Sequence, residues 1–385
     1  MLLKDWDFKT YLKESPKVNE TNWWNLPKGT LLEVVPFPKK IKRARDRIKL
    51  GRLLTEFGKN KSIEKKIRSI SIKKNNKVKI SFPIKLDNSD YVRLYSLMVS
   101  EGSTRTEFSI HCPEKEFHRI FKKSLINLLG KSFGQKIICK ENKGFARSRA
   151  PTNVRFLIPI SEHIPRIILK KKEFAKEYLR IAFDAEGSPI LNRKQNKRYI
   201  KLSRSVDISE LINEKLKYKE SERIYIAKLK QDYPNIYSKL ITYAPITLIG
   251  EHLLLKHYFN IQSKLTFEAL RINKTSIRRG FYSARWTLLI YANNIDKFIK
   301  EINFISKSKQ EICKKMKYFN AHNPQYSAFD IIKTISEDGF FYVKDFVKEM
   351  KKMRYVSPRA FMSRYYKKGL IKKVEYGRYE IISYP

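Results

Sequence analysis

The chain has 385 residues, of which 42% are hydrophobic, and this is enough to bury a core in two or three domains. Its 82 lysines and arginines against 38 acidic residues give a formal net charge of +44. Mixed signs on a solubilising surface would cancel, so this excess predicts a polyanionic partner and favours nucleic acid over an anionic membrane. The sequence has no run of about 18 apolar residues, so no transmembrane helix is predicted.

The N-terminus and the cysteines indicate the compartment. Asp5 and Asp7 are acidic where a signal peptide is basic, and no apolar signal core follows, so we expect a cytoplasmic protein. Cys112, Cys139 and Cys313 are widely spaced and form no C-x-x-C pair, which indicates reduced, buried thiols. The histidines form no H-E-x-x-H motif, and ordinary packing explains them better than a zinc site.

Residues 1–83 form an N-terminal basic region to which the sequence assigns no chemistry. The segment Lys39–Lys49 is strongly basic. Leu53–Phe57 is predicted to be helical, and Ser62–Ser71 is predicted to be a short helix or a turn.

Residues 84–172 predict a first half that contains two helices and three strands. Asp90 is the candidate N-cap of the first helix, and Gly102 is its stop. A basic loop is predicted between the last two strands. Helical periodicity and strand alternation place the five elements at Asp90–Gly102, Thr104–His111, Pro113–Leu129, Lys136–Lys140 and Val154–Ile160.

Residues 173–318 repeat this order in a longer second half. A helix ending in glycine comes first, strands and a mostly helical region follow, and a helix closes the half. The predicted elements are Phe174–Gly187, Arg198–Arg204, the helical region 208–260, Leu265–Ile272, Ser283–Tyr291 and Asn294–Phe304.

Residues 323–385 are predicted to form a separate module. Leu370–Tyr384 contains two strands that turn at Tyr376 and Gly377. Three helices followed by a hairpin are typical of a winged-helix domain, and the absence of acidic residues between 351 and 373 favours DNA over protein as its partner. The three helices are predicted at Tyr326–Glu337, Phe346–Lys352 and Pro358–Gly369, the last one capped by Ser357.

Two nine-residue helix ends share one pattern. Leu94–Gly102 and Leu179–Gly187 both begin with leucine and finish with a small residue, an acid and a glycine. The shared acids are Glu101 and Glu186. Two carboxylates are unfavourable at helix C-termini, because the helix dipole is negative there and the charges repel each other. A proton or a divalent cation would stabilise them, and a metal held by carboxylates beside a basic surface suits phosphodiester hydrolysis.

The paired motif and the repeated element order resemble the LAGLIDADG homing endonuclease family, in its single-chain form with two motifs, over residues 84–318. The resemblance implies an α+β fold with two pseudo-symmetric αββαββα halves, whose saddle-shaped antiparallel sheets lie on DNA. It also implies a monomer in which Glu101 and Glu186 are catalytic and hold Mg²⁺, with Mn²⁺ as an alternative. The family's glycine at position three of the motif is replaced by Ser96 and Ile181, which predicts a wider helix interface.

Basic residues follow both motifs. Candidates for a catalytic supporting lysine are Lys140, Lys194 and Lys264. Arg204 belongs to the basic residues after the second motif, where strand alternation turns Ile200 towards the helices. The residues predicted to contact double-stranded DNA are Arg105, Lys143, Arg147, Arg149, Arg193, Lys197, Arg198, Lys201, Arg278, Arg279, Arg285, Arg359, Ser363, Arg364, Lys367, Lys368 and Arg378.

The sequence therefore predicts an enzyme, a site-specific endonuclease that hydrolyses double-stranded DNA and serves intron or intein mobility. One alternative is a transcription regulator derived from an inactive LAGLIDADG core. A second alternative is an intron RNA maturase, an RNA-binding splicing helper, since some members of the family act as intron maturases.

Overall fold

The protein has an α+β architecture with antiparallel strand pairing, as the sequence predicts. It forms two compact units, Met1–Ser188 with Lys201–Lys307 and Pro189–Ile200 with Ser308–Pro385. The computed structural model describes residues 6–18, 26, 30–35, 47–71, 79–103, 107–142, 145–159, 161–192, 197–212, 216–217, 223–272, 282–291, 293–321, 328–352 and 358–383.

The N-terminal region, whose start the sequence indicates to be irregular or rich in strands, contains a four-stranded sheet in the order β2-β1-β3-β4. Ser62–Ser71, predicted as one helix or turn, divides into a short helix and a strand, because buried Ile67 and Ile70 belong to the sheet core. Tyr11 is fully buried, and its hydroxyl donates to the Ile246 carbonyl at 3.1 Å. The elements are α1 (Phe8–Glu14), β1 (Leu31–Val34), β2 (Arg47–Lys49), α2 (Leu50–Phe57), α3 (Lys61–Glu64), β3 (Ile67–Ser71) and β4 (Lys79–Ser81).

The first half begins with a helix whose N-cap is Asn88 and not Asp90. The Asn88 side chain accepts from the Tyr91 backbone N–H at 2.9 Å, whereas the Asp90 carboxylate accepts from the Asn127 amide at 3.0 Å. The sheet has the order β5-β6-β8-β7. The elements are α4 (Ser89–Ser100), β5 (Gly102–Ser103), β6 (Phe108–Cys112), α5 (Lys115–Leu129), α6 (Lys131–Gly134), β7 (Ile138–Asn142), β8 (Phe145–Ala150) and α7 (Arg166–Lys170).

Two predictions about this sheet are wrong. The predicted basic loop contains strand β8, which pairs with β6 and β7. Its inward residues Ser148 and Ala150 are small and not β-branched, so the strand alternation carries little apolar signal. The predicted strand Val154–Ile160 is a 3₁₀ turn over Thr152–Leu157, followed by Pro159, which lacks the N–H that a strand ladder needs. Ile160 itself lies outside the described residues.

The second half repeats the order with insertions. Its sheet has the order β11-β12-β13-β10-β9, and β11 with two short helices occupies part of the region predicted to be mostly helical. The elements are α8 (Lys172–Glu186), β9 (Gly187–Asn192), β10 (Lys197–Asp207), β11 (Arg223–Tyr225), α9 (Ile226–Asp232), α10 (Pro234–Leu240), α11 (Ile246–Phe259), β12 (Lys264–Ile272), β13 (Tyr282–Tyr291) and α12 (Asn293–Glu301).

In the C-terminal unit, helix α13 precedes the predicted module, and from residue 328 onwards the chain has the predicted order of three helices and a hairpin, with one further strand, β14, beside the hairpin. The module's own hydrophobic core includes Phe329, Phe346 and Met350. The predicted cap Ser357 lies outside the described residues. The elements are α13 (Lys307–Ala321), α14 (Ala328–Ile335), β14 (Phe340–Tyr342), α15 (Val343–Lys352), α16 (Pro358–Lys367), β15 (Ile371–Glu375) and β16 (Arg378–Ile381).

Among the residues that the structure describes, we find no helix that is both long and apolar enough to cross a membrane.

Candidate functional site

The two motif helices α4 and α8 pack against each other. Ser96, at position three of the first motif, is fully buried, and its hydroxyl donates to the backbone carbonyl of Tyr178 at 2.9 Å. A bond from a side chain as short as serine to the other helix's backbone requires close approach. The wider interface expected from the missing glycine is therefore absent at this position, because the serine hydroxyl satisfies a backbone acceptor there.

The shared acids lie where the two helices end. Glu101 is the C-cap residue of α4, and its backbone N–H donates to the Leu97 carbonyl at 2.8 Å. Glu186 is the last residue of α8, and its side chain is 40% exposed. Both carboxylates are placed against the negative end of a helix dipole, as the sequence predicts.

Arg204 links the two helix ends. Its Nη2 donates to the hydroxyl of Ser100 at 3.3 Å, and its Nη1 lies 4.0 Å from the Glu186 carboxylate. Arg204 is one of the basic residues after the second motif, where DNA contacts are expected, but its side chain is only 9% exposed. It shares the inward face of β10 with Ile200 and Leu202, as their common even-numbered spacing indicates. This spacing of two residues is the sequence signal from which the inward orientation of Arg204 could have been predicted.

A buried network holds Arg204 in place. The Glu251 carboxylate is fully buried, accepts from Arg204 Nη2 at 2.6 Å and accepts from the Tyr178 hydroxyl at 3.0 Å. Burial is the largest single influence and acts to lower the pKa of Arg204, but the charge of Glu251, its hydrogen bond to Arg204 and the neighbouring Tyr178 and Glu186 together outweigh burial, and the pKa is raised. One feature of the sequence could have identified Glu251, because it is the single acid within the apolar helix segment ITLIGEHLLL.

Glu101 has a different neighbour. Burial, and then the charge of Glu101, raise the pKa of the Cys112 thiol to about 12, so that this thiol is neutral at pH 7. Cys112 and Cys313 are buried as predicted, but Cys139 is exposed on β7, where its thiol lies 3.1 Å from the Ser148 hydroxyl.

Asp184 explains why position six of the motif is acidic in only one copy. Its Oδ1 accepts from the backbone N–H groups of Ile305 and Ser306 and from the Ser306 hydroxyl, each at 3.1 Å. The carboxylate therefore anchors the turn between α12 and α13, which is a structural role.

The acidic side chains at the two helix ends were compared with the ligands that a metal ion needs. No cluster of three or more His, Cys, Asp or Glu side chains that could hold a metal occurs within the described residues. Mg²⁺ is commonly bound by one or two carboxylates together with water and substrate phosphates. Glu101 and Glu186 fit that pattern when DNA supplies the remaining oxygens, although Arg204 already offsets part of the charge of Glu186.

The first sheet carries basic residues on its outer face. Arg147 and Arg149 on β8 are exposed and alternate with buried Ser148 and Ala150. Lys140, a candidate supporting lysine, is exposed on β7 opposite Arg147.

In the second half, the predicted contacts differ in their surroundings. Lys197 is exposed, whereas the Arg198 guanidinium donates to the Met316 carbonyl at 3.1 Å. Lys201 and Arg285 lie beside Glu268, at 3.7 and 3.3 Å. Lys264 is exposed at the start of β12. Outside the described residues lie Arg105, Lys143, Arg193, Lys194, Arg278 and Arg279.

Helix α16 of the C-terminal unit presents a polar, basic face while Met362 is buried. Arg378 is less available than predicted, because its guanidinium lies over the Phe340 ring at 4.7 Å and 3.6 Å from the Glu375 carboxylate. The exposed residues of this face are Arg359, Ser363, Arg364, Lys367 and Lys368.

Gly187 of the second motif is required by crowding. A Cβ there would lie 2.4 Å from the Phe183 carbonyl oxygen and 2.9 Å from that of Lys201, while the backbone φ is −99°, which any residue adopts. We therefore expect Gly187→Ala to destabilise the protein by about 1–3 kcal/mol, measured by thermal unfolding.

The matched control is Gly51→Ala in α2, where an added Cβ meets nothing within 4 Å. This change should leave stability unchanged or raise it by up to about 1 kcal/mol. Equal melting temperatures for the two variants would contradict the crowding argument.

No family model matches the chain, and no curated protein matches it. Three solved structures are similar to it over part of its length. Full-length DUF199/WhiA from Thermotoga maritima has 13% identity and a TM-score of 0.32 over 60% of this chain and 61% of that one, which is less than two thirds of its length. The N-terminal LAGLIDADG domain of DUF199/WhiA has 12% identity and a TM-score of 0.30, over 59% and 89%. I-DmoI in complex with DNA and Mn has 9% identity and a TM-score of 0.31, over 56% and 98%.

Proposed function

We propose that the chain is a site-specific endonuclease that hydrolyses double-stranded DNA with Mg²⁺ or Mn²⁺ held by Glu101 and Glu186. One observation carries the proposal: the Arg204 guanidinium contacts Ser100 at the end of α4 and lies 4.0 Å from Glu186 at the end of α8. The two helix ends, each with a carboxylate, thus meet at one cation. Arg204 offsets the charge of Glu186 and so weakens the repulsion between these carboxylates.

The chain's own residues have distinct roles in this proposal. Glu101 and Glu186 would hold the metal through their carboxylate oxygens. Arg204 orients the Glu186 carboxylate. The metal would supply an activated water molecule and stabilisation of the charge that develops on the phosphate.

Basic side chains would hold the DNA backbone. Exposed Arg147 and Arg149 lie on the first sheet, and Lys201 and Arg285 lie on the second. Phosphate contacts of this kind fix the position of the duplex and make binding salt-dependent. The basic helix α16 supplies a second reading module for the major groove.

A second candidate function is a sequence-specific DNA-binding regulator that does not cleave. One observation favours it: the Arg204 guanidinium lies 4.0 Å from the Glu186 carboxylate and so already supplies a cation to one of the two acids. This candidate keeps the DNA surfaces and gives the acids a purely structural role.

The test is selection from a randomised duplex library, followed by digestion in Mg²⁺, in Mn²⁺ and in EDTA, with sequencing of all fragment ends. We expect a common site to be enriched by binding and to be cut on both strands only with metal. Enrichment without cleavage in either metal would support the regulator, and no enrichment would overturn both candidates.

A further inference from the structure

One glutamate lies among the basic side chains on the outer face of the second sheet. Glu268 lies at a β-bulge in β12, where the register with β13 shifts between Phe267 and Ala269. A bulge re-aims the side chain at that position. The Glu268 carboxylate accepts from the Thr287 hydroxyl at 2.6 Å and lies 3.7 Å from Lys201 Nζ and 3.3 Å from Arg285 Nε.

This cluster reaches solvent and stays charged. The side chains of Lys201, Glu268 and Arg285 are 25%, 27% and 29% exposed. Burial acts to raise the pKa of Glu268, but the Thr287 hydrogen bond and the charges of Lys201 and Arg285 together lower it. Glu268 is therefore an anion on a surface whose proposed ligand is also an anion.

The first sheet repeats the arrangement with other residues. Glu107, directly before β6, forms ion pairs with Arg147 and with Arg149, the latter at 3.5 Å. The two arginines are 50% and 53% exposed. In each half a carboxylate therefore joins two basic side chains, which both lie on β8 in the first half and lie on the neighbouring strands β10 and β13 in the second.

Non-specific electrostatic affinity for DNA does not account for carboxylates at these positions, because a negative charge on this face repels phosphate. What a carboxylate does is fix the direction of its two basic partners, so that less side-chain entropy is lost when they bind. Its remaining lone pairs could also accept a hydrogen bond from the cytosine amino group, which is a donor in the major groove.

We propose that Glu107 and Glu268 determine DNA sequence specificity, each by orienting two basic side chains towards base edges and by limiting their binding to phosphate alone. This inference rests on the DNA binding within the proposed function and does not depend on cleavage.

The experiment compares wild type with Glu107→Gln and Glu268→Gln. Glutamine keeps an acceptor for Thr287 and should leave the fold intact, as thermal unfolding will verify. The matched control is Glu116→Gln on α5, which also removes one charge from a pair with an arginine, at 2.7 Å from Arg119. The probes are a random-sequence duplex and a randomised duplex library.

On random DNA, each glutamine variant should bind more tightly, with a log–log salt slope steeper by about 0.9 for each additional phosphate engaged. In the selected library, each variant should lose preference about tenfold at a few adjacent base pairs, the contribution of one base contact. Glu107→Gln and Glu268→Gln should lose it in opposite halves of the site. The control should change neither quantity.

Thr287→Val separates orientation from charge, because it removes the hydrogen bond to Glu268 and keeps the carboxylate. We expect it to lose preference in the same half-site as Glu268→Gln with an unchanged salt slope. Site preference retained by both glutamine variants would overturn this inference alone. A wild-type protein without any site preference would overturn the proposed function and this inference together.

Discussion

Glu186→Gln and Glu101→Gln should each reduce metal-dependent cleavage by about a thousandfold or more, because each removes one of the two carboxylates that would hold the cation. DNA binding should persist or tighten, since a negative charge facing phosphate is lost. Glu101→Gln should also raise stability by about 0.3–1 kcal/mol, because a carboxylate leaves the negative end of a helix dipole, whereas Glu186→Gln also loses the ion pair with Arg204. The measurements are single-turnover cleavage, binding in Ca²⁺ and thermal unfolding on the same preparations.

Glu116→Gln on α5 is the control, because it removes the same charge at a helix outside the site. It should cut at the wild-type rate. If both motif variants also cut at that rate, the acids are not catalytic and the assignment of the site is wrong.

Glu251→Gln should destabilise the protein by about 3–5 kcal/mol, the largest effect on folding that we expect. The change keeps the shape of the side chain but leaves the Arg204 charge buried without its partner, which is 2.6 Å away. Urea unfolding followed by circular dichroism measures the loss.

The double variant Glu251→Leu with Arg204→Met tests the cause. Replacing both partners by apolar residues removes the stranded charge and should recover most of the lost stability. A Glu251→Gln variant within about 1 kcal/mol of wild type would mean that water or Glu186, 4.0 Å away, is sufficient to stabilise the Arg204 charge, and that Glu251 does not hold Arg204 in place.

The sequence was sufficient to predict features with a local signal. Apolar periodicity and the terminal glycines located α4 and α8, and with them Glu101 and Glu186. The C-terminal order of helices and hairpin was equally readable, except for β14, which at three residues is too short to show alternation.

The features that were missed depend on contacts distant in sequence. The local sequence does not distinguish Arg204 from the other basic residues of its strand. Its role depends on the contact with Glu251, which lies 47 positions later in the sequence. The N-cap of α4 is Asn88 and not the predicted Asp90. The Asp90 carboxylate instead accepts a hydrogen bond from the Asn127 amide, which is distant in sequence. The sequence predicts a loop in place of strand β8, because the buried residues of β8 are small and have a weak preference for strands.

The surroundings of the two acids make them chemically inequivalent. Glu186 has the Arg204 guanidinium at 4.0 Å, whereas Glu101 has the neutral thiol of Cys112 as a neighbour. In a symmetric dimer of two identical halves, the same side chain would lie beside both carboxylates. A single chain that carries both halves is free of that constraint, and here the symmetry is broken at the positions next to the acids, while the acids themselves are shared.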